Sequence, residues 1–131
     1  MFTRRAFLKT LAALGLWSGA RNAWRSTRSV VLLETCVAGF RYHQGPRVQH
    51  HLRAGQPLLL RREPTNPYDE RAIALYTADG AKLGYVPRTD NSVLAALLDQ
   101  GTSLQATITD VAREAPPWER VRFRVTMSLG A

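Results

Sequence analysis

Two stretches in the second half of the chain alternate between apolar and polar residues. Residues 104–109 place Leu, Ala and Ile at every second position, and residues 121–127 do the same with Val, Phe, Val and Met. A period of two is typical of β-strands with one buried face. Residues 89–100 repeat their apolar side chains at helical spacing instead, with candidate N-cap residues at 89–91 and Gly101 at the end. The pattern predicts two half-buried strands and one clear helix.

Shorter apolar runs in the first half of the chain predict the remaining strands. Four runs rich in Val, Leu, Ile or Thr cover residues 30–40, 58–62, 72–77 and 82–86. A hairpin turn, Ala78-Asp79-Gly80, joins the last two runs, and the Gly45-Pro46 pair leaves room for a second, short helix in residues 41–53. The predicted fold class is therefore mainly β, a small β-barrel of about six strands with one clear helix and room for another.

The first twenty residues follow a different pattern. Residues 3–9, Thr-Arg-Arg-Ala-Phe-Leu-Lys, resemble the motif of a twin-arginine export signal and precede a short apolar run, residues 11–17. That run is far shorter than the roughly 20 residues that span a bilayer. Small residues at Ser18 and Ala20 suit cleavage after Ala20. We expect residues 1–20 to be a signal peptide, 21–29 a polar linker and 30–131 the folded domain.

Such a leader predicts export to the periplasm. Its partner would be the twin-arginine export machinery, and no stable membrane span would remain after cleavage. The alternative is an N-terminal extension without a signal function, which would leave the protein in the cytoplasm. The pattern leaves open whether the leader is cleaved or retained as an anchor.

The charge of the chain favours anionic partners, and its motifs do not indicate catalysis. Eighteen Lys and Arg against ten Asp and Glu give a net charge of +8, which suits nucleic acid, anionic lipid or acidic protein. The sequence has no Gly-rich phosphate loop and no nucleophile elbow. Cys36 is the only cysteine, and no carboxylate stands at ligand spacing from His43, His50 or His51. We therefore expect a non-enzymatic protein without a metal or cofactor.

Arginine and tyrosine residues indicate a possible ligand. Arg120, Arg122 and Arg124 would project from one strand face at about 6.8 Å intervals, which suits successive phosphates of an extended strand. A solvated strand face that discourages edge pairing explains the same pattern. Base stacking combined with phosphate neutralisation requires aromatic side chains beside cations. Three tyrosines at strand ends or loops lie near an arginine: Tyr42 near Arg41, Tyr68 near Arg71, and Tyr85 near Arg88.

Three segments resemble the HIRAN domain family in order and spacing. They are residues 38–43 (AGFRYH), 62–76 (REPTNPYDERAIALY) and 80–101 (GAKLGYVPRTDNSVLAALLDQG). The combination of Asn-Pro-Tyr-Asp, an Ala-Ile strand and Leu-Gly-Tyr-Val-Pro-Arg is specific, and the resemblance spans roughly residues 37–111. It implies a modified OB-like β-barrel. It also implies capture of single-stranded DNA by its 3′-hydroxyl end, which is the role of this domain in large DNA-remodelling ATPases.

The resemblance assigns roles to residues of the Asn-Pro-Tyr-Asp loop. Tyr68 would stack on a terminal base, Asp69 would accept a hydrogen bond from the 3′-hydroxyl, and Asn66 would brace the loop or contact the sugar. A carboxylate repels a phosphate but accepts a free hydroxyl, so Asp69 would discriminate against a continuing or 3′-phosphorylated strand. A turn acid bonded to nearby backbone N–H groups is the simpler explanation of Asp69, and the two roles are compatible.

The resemblance also implies that residues outside the Asn-Pro-Tyr-Asp loop contact the ligand. Arg41 and Tyr42 would hold the terminal nucleotides, and Tyr85 and Arg88 would lie near the phosphate-contacting turn. The predicted function is a module that binds single-stranded nucleic acid, and the alternative is a periplasmic module that uses the same groove for a protein or another ligand. The predicted interface has ten residues: Arg41, Tyr42, Asn66, Tyr68, Asp69, Tyr85, Arg88, Arg120, Arg122 and Arg124.

Overall fold

A computed structural model describes residues 28–129 of the chain. Six strands are present: β1 (Ser29–Cys36), β2 (Pro57–Glu63), β3 (Ala72–Thr77), β4 (Lys82–Tyr85), β5 (Leu104–Val111) and β6 (Val121–Ser128). They form one sheet in the order β1-β6-β5-β2-β3-β4. Strand β2 pairs antiparallel with β3 and β5, and the β3–β4 and β5–β6 pairs are also antiparallel. The predicted mainly β fold with about six strands is confirmed.

The sheet of the predicted β-barrel is not closed. Strands β1 and β4 are its two edges. They approach each other at one isolated bridge, where Ala38 and Tyr85 exchange two backbone hydrogen bonds of 2.8 and 2.9 Å. A longer ladder does not form because β4 has only four residues and is followed by Pro87, while the chain turns after β1 at Gly39, whose φ is 73°. The two edges therefore meet at a point.

Helical segments are short and lie between the strands. Helix α1 (Gly45–Val48) has a proline in its first turn, and helix α2 (Ser92–Asp99) occupies the region where helical spacing predicted one. Four 3₁₀ turns cover Phe40–Tyr42, Gln49–His51, Arg88–Asp90 and Pro117–Glu119. No helix within residues 28–129 is long and apolar enough to cross a membrane.

The core includes five of the seven apolar residues that the alternation singled out. Ala106 and Ile108 of β5, and the Val and Phe residues at 121, 123 and 125 of β6, are buried. Strand β3 is buried on both faces over residues 72–75, and α2 contributes Leu94 and Ala95. This burial pattern explains why β5 and β6 alternate in polarity whereas β3 is a continuous apolar run.

Residues Val30–Met127 form one compact unit. The predicted signal peptide, residues 1–20, lies outside the described residues, as does the predicted linker up to residue 27. The boundaries predicted for these two segments therefore stay predictions.

Gly84 permits the close approach of the two sheet edges. Its φ is 148°, and a Cβ at this position would lie 2.3 Å from the carbonyl oxygen of Ala38 and 2.8 Å from Cγ1 of Val37. A bulge accompanies it, because Leu75 pairs with Gly84 and Tyr76 with Lys82. Any side chain at position 84 would thus push β4 away from the segment that follows β1.

We predict that Gly84→Ala lowers the free energy of unfolding by about 3 kcal/mol or more, because it adds a backbone clash to an unfavourable φ. Gly80→Ala is the matched control: φ is 98° there, but no atom lies within 4 Å of the added Cβ. The control should lose only about 1 kcal/mol. Urea denaturation measures both values. Equal losses in the two variants would show that the contact at Ala38 is not tight.

Candidate nucleic-acid interface

A cavity of about 830 Å³ lies where the two edges of the sheet meet. The loop between β2 and β3 (residues 64–71, the NPYD loop below) forms one wall through residues 64–69. Ala38, Gly39 and His43 form a second wall, and residues 85, 86 and 88 at the end of β4 form a third. Because the Ala38–Tyr85 bridge joins the second and third walls, the position of both walls depends on it. The volume is within the range of small-ligand sites.

A smaller cavity of about 410 Å³ adjoins the same loop. It shares residues 66–69 and Arg88 with the larger cavity, and its remaining lining, Glu70, Arg71 and Asn91, is polar. Tyr68 borders both cavities and is 84% exposed. The Tyr68 ring of the loop therefore lies at the boundary between the larger and the smaller cavity.

Asn66 holds the NPYD loop in shape from within. Its Oδ1 accepts hydrogen bonds from the backbone N–H groups of Tyr68 (2.8 Å) and Asp69 (3.2 Å). Its Nδ2 donates to Oε1 of Glu63 (3.0 Å) and to the hydroxyl of Tyr85 (3.3 Å). A side chain that bonds backbone groups two and three residues ahead is an Asx turn. The backbone at Tyr68 and Asp69 is thus fixed before any ligand arrives.

Asp69 is held as an ionised carboxylate. Its Oδ1 accepts a hydrogen bond from the N–H of Arg71 (2.9 Å), and its Oδ2 accepts one from Nδ2 of Asn91 (2.8 Å). The N–H of Arg71, then the bond from Asn91 and the charges of Arg88 and Arg71, lower the pKa of Asp69 and outweigh its partial desolvation. Each carboxylate oxygen has capacity for a further donor. Asp69 therefore has the predicted structural role in the turn and can still accept a hydrogen bond from a hydroxyl group.

Asn91 differs from its sequence prediction. It occupies the N-cap position of α2, as residues 89–91 were expected to, but its side chain makes no capping hydrogen bond. It is 1% exposed and donates to Asp69 instead. A buried amide that holds a carboxylate orients that carboxylate, so Asn91 is a positioning residue for the loop.

Tyr85 belongs to a closed hydrogen-bond network on the cavity wall. Its hydroxyl accepts from Nζ of Lys82 (2.7 Å) and Nδ2 of Asn66 (3.3 Å) and lies 2.7 Å from Oε1 of Glu63. Lysine and amide nitrogens only donate, so the Tyr85 proton must point to Glu63. Lys82 also donates to Oε2 of Glu63 (3.0 Å) and lies 4.5 Å from the centre of the Tyr85 ring. The Tyr85 hydroxyl is consequently saturated by protein groups.

The pKa values of this network follow from its contacts. Burial alone would raise the pKa of Glu63, but the hydrogen bonds from Tyr85, Asn66 and Lys82 outweigh it and lower that pKa. Burial would lower the pKa of Lys82, but its bonds to Tyr85 and Glu63 raise it. Burial raises the pKa of the Tyr85 phenol. At neutral pH the network is a Glu⁻–Lys⁺ pair bridged by a neutral phenol.

The predicted Arg41–Tyr42 pair lies beside the cavity without lining it. Both residues belong to the 3₁₀ turn between Gly39 and His43, two lining residues. Tyr42 is 77% exposed, and the Arg41 guanidinium lies 5.5 Å from the centre of its ring. The pair is available to a ligand that extends out of the cavity.

The three arginines of the last strand region lie apart from both cavities. Arg120 precedes β6 and is engaged by the fold: its guanidinium donates to the carbonyl of Ala115 (2.6 and 3.0 Å) and to Oε1 of Gln49 (3.2 Å). Arg124 forms an ion pair with Glu34. Arg122 is exposed on β6. The structure therefore gathers Asn66, Tyr68, Asp69, Tyr85 and Arg88 at one place and does not bring the β6 region to it.

Residues 28–129 contain no group of three or more His, Cys, Asp or Glu arranged to hold a metal ion.

Sequence reasoning missed three contributors to the site, namely Glu63, Lys82 and Asn91. The bonds that join Lys82 and Tyr85 to Glu63, and Asn91 to Asp69, connect residues 19 to 22 positions apart in the chain. No local pattern reports such pairings.

Comparison with known proteins identifies the class of this domain. The model of the HIRAN domain family matches residues 30–130. The chain belongs to the HIRAN domain family.

Two solved structures are similar to the chain. A crystal structure of a Lactobacillus plantarum protein shares 33% identity with a TM-score of 0.68, covering 76% of this chain and 95% of that one. The crystal structure of the HIRAN domain of human HLTF shares 22% identity with a TM-score of 0.59, covering 77% of this chain and 81% of that one. The HLTF HIRAN domain has also been solved in its DNA-bound conformation.

One curated relative is the helicase-like transcription factor of Oryctolagus cuniculus. It is 33% identical over 63 residues, which are 48% of this chain. The matched segment spans about 6% of the length of that relative. The likeness is thus confined to one domain of a much larger protein.

We predict that Glu63→Gln lowers the free energy of unfolding by about 1–2 kcal/mol at neutral pH, because bonds to a charged acceptor are lost. The pKa of Glu63 is lowered in the folded protein. Its contribution is therefore present above the ordinary glutamate pKa and is lost as the pH falls through the lowered value. The difference between wild type and variant should shrink below about pH 4. Urea denaturation across this range measures it.

Glu70→Gln is the control for this prediction, since Glu70 is an exposed acid on the adjoining NPYD loop. It should change stability little at any of these pH values. A difference between wild type and Glu63→Gln that stays constant from neutral to acid pH would contradict the proposed network.

Proposed function

We propose that this protein is a non-enzymatic module that binds single-stranded nucleic acid, with the free 3′-hydroxyl end of DNA as its preferred ligand. One observation carries the proposal. The NPYD loop carries the exposed Tyr68 ring and the ionised Asp69 carboxylate on neighbouring residues, and both line the larger cavity. An aromatic platform beside a hydroxyl acceptor matches the end of a strand, which offers a base and a free hydroxyl together.

Family membership supports the nucleic-acid ligand. The HIRAN domain of HLTF is a member that has been solved in a DNA-bound conformation, and the family model covers residues 30–130 of this chain. Residues 21–131, which follow the predicted leader, carry 15 Lys and Arg against 10 Asp and Glu. Their net charge of +5 acts in the same direction, because a basic protein attracts a polyanion over long range.

The balance of charge at the cavity supports recognition of an end. Arg88 lines both cavities and lies close enough to Asp69 to lower its pKa. A guanidinium there would neutralise an internucleotide phosphate. The carboxylate of Asp69 would accept a hydrogen bond from a terminal hydroxyl but would repel a terminal phosphate. Stacking on Tyr68 would add affinity with little dependence on base identity.

The arginines at positions 120, 122 and 124 are less important in this proposal than the residues that line the cavity. Arg122 and Arg124 are exposed outside the cavities, and Arg120 is engaged by Ala115 and Gln49. Their contact with nucleic acid stays a prediction from the strand pattern, and the proposed interface centres on the cavity.

Tyr68→Ala should weaken binding of a short single-stranded DNA by on the order of 1–3 kcal/mol, whatever group the 3′ end carries, because a stacking platform is lost. Asp69→Asn should weaken binding to a 3′-hydroxyl end by about tenfold or more. It should leave binding to a 3′-phosphate end unchanged or tighter, because a negative charge is removed. Fluorescence anisotropy with the full chain, at one fixed salt concentration, measures both effects.

Asp110→Asn is the matched control, because it removes the same charge from β5 away from the cavities. It should affect both end types equally and weakly. Equal losses for both end types in Asp69→Asn would show that Asp69 does not recognise the end. If neither loop variant changes the binding of any oligonucleotide, the groove serves another ligand, such as a periplasmic protein.

We further propose that the leader directs export through the twin-arginine route, on the basis of the Thr3-to-Lys9 motif. A fusion of residues 1–30 to a reporter should reach the periplasm, and the double variant Arg4→Lys, Arg5→Lys should remain in the cytoplasm. Cell fractionation measures both. Undiminished export of the double variant would remove the twin-arginine assignment.

A further inference from the structure

Most side-chain donors on the wall of the larger cavity already have partners within the protein. The Arg62 guanidinium donates to Asp99 (2.9 and 3.2 Å) and to the carbonyls of Ala72 (2.7 Å) and Glu70 (3.0 Å). Asn66 and Tyr85 are saturated by the network around Glu63. Donors inside this cavity are therefore scarce for any ligand.

Four lining side chains in the described part of the chain keep a donor for a ligand. They are the Thr65 and Tyr68 hydroxyls, the Arg88 guanidinium and the His43 imidazole. Arg88 stands beside Asp69, whereas His43 belongs to the wall that Ala38 and Gly39 form. The His43 ring meets the Tyr85 ring edge-on at 5.4 Å, which fixes its position without using either ring nitrogen. His43 is thus a held, half-buried imidazole that faces the cavity with unoccupied nitrogens.

We propose that the His43 imidazole binds a phosphate oxygen of the ligand and takes up a proton when it does so. This inference rests on the proposed nucleic-acid function and specifies how the wall formed by Ala38, Gly39 and His43 recognises the strand. A neutral imidazole offers one N–H donor, and a protonated one offers two together with a positive charge. An anionic oxygen in the cavity favours the protonated form.

The surroundings of His43 keep it neutral in the free protein. Its partial burial and the positive charge of Lys82 lower its pKa, and the negative charge of Glu63 opposes them in part. A bound phosphate adds a negative charge and raises that pKa. The charged and titratable groups on the elements packed around His43 are Glu63 on β2, Lys82 and Tyr85 on β4, Arg47 on α1, Arg41 on its own turn, and Glu119 on the Pro117–Glu119 turn.

The pH dependence of binding follows from the difference between the pKa of His43 in the free protein and its pKa in the complex. Above the pKa of His43 in the complex, the imidazole is neutral in both states and adds no charge to binding. As the pH falls from there to the pKa in the free protein, the complex binds a proton that the free protein lacks, so affinity rises. Below the free-protein value both states are protonated and affinity levels off. Each unit of difference between the two pKa values contributes about tenfold.

The test measures binding of oligothymidylate to the full chain between about pH 8 and about pH 5.5 at constant ionic strength. A probe with a hydroxyl at each end contains no group that titrates in this range. Wild-type affinity should rise by about threefold to tenfold as the pH falls. His43→Gln keeps a hydrogen-bonding side chain without a titrating group and should lose this rise. His50→Gln, the control, alters an exposed histidine outside the cavity and should retain it.

A second measurement follows the His43 ring protons of the wild type by NMR during pH titration. The pKa of His43 should be higher with bound oligothymidylate than without it. Binding with the same pH dependence in wild type and His43→Gln, or an unchanged His43 pKa in the complex, overturns the role of His43 and leaves the proposed function standing. Absence of oligonucleotide binding at every pH overturns both.

Discussion

The backbone contact between Ala38 and Tyr85 is the constraint on which the cavity depends. The sheet is open, and this pair of hydrogen bonds joins the segment that follows β1 to the edge strand β4. Gly84 makes the contact sterically possible, since any Cβ there would lie 2.3 Å from the Ala38 carbonyl oxygen. The contact joins the cavity wall formed by Ala38, Gly39 and His43 to the wall at the end of β4. Without it, the cavity would lose one wall, and the loop would present Tyr68 and Asp69 to bulk solvent alone.

The loop itself is ordered by bonds that leave its recognition atoms available. Asn66 binds the backbone of the loop, and Asn91 and the N–H of Arg71 hold the Asp69 carboxylate. Buried polar groups must find partners within the protein, and here those partners lie behind the loop. Pre-ordering of this kind reduces the entropy lost when a ligand binds. The exposed Tyr68 ring and the remaining lone pairs of Asp69 are what the fold leaves for a ligand.

Local patterns predicted most of the fold and part of the site. Alternation and helical spacing located β5, β6 and α2, because each depends on neighbours within one element. Closure of the sheet depends on how its edges end, so the open sheet was not predicted. The bonds from Lys82 to Glu63 and from Asn91 to Asp69 span 19 and 22 residues and leave no local signal. Arg120 continues the alternation of β6 in the sequence, yet the preceding 3₁₀ turn directs its side chain to a carbonyl.

The most direct test of this account maps the ligand on the protein by NMR. Labelled full chain would be titrated with oligothymidylate that carries a 3′-hydroxyl, and backbone amide shifts would be followed residue by residue. We predict that the largest changes fall on the NPYD loop, on the Gly39–His43 turn and on residues 85–88, with small changes along β6. Changes concentrated at Arg122 and Arg124, or no changes with any oligonucleotide, would contradict the assignment of the cavity as the binding site.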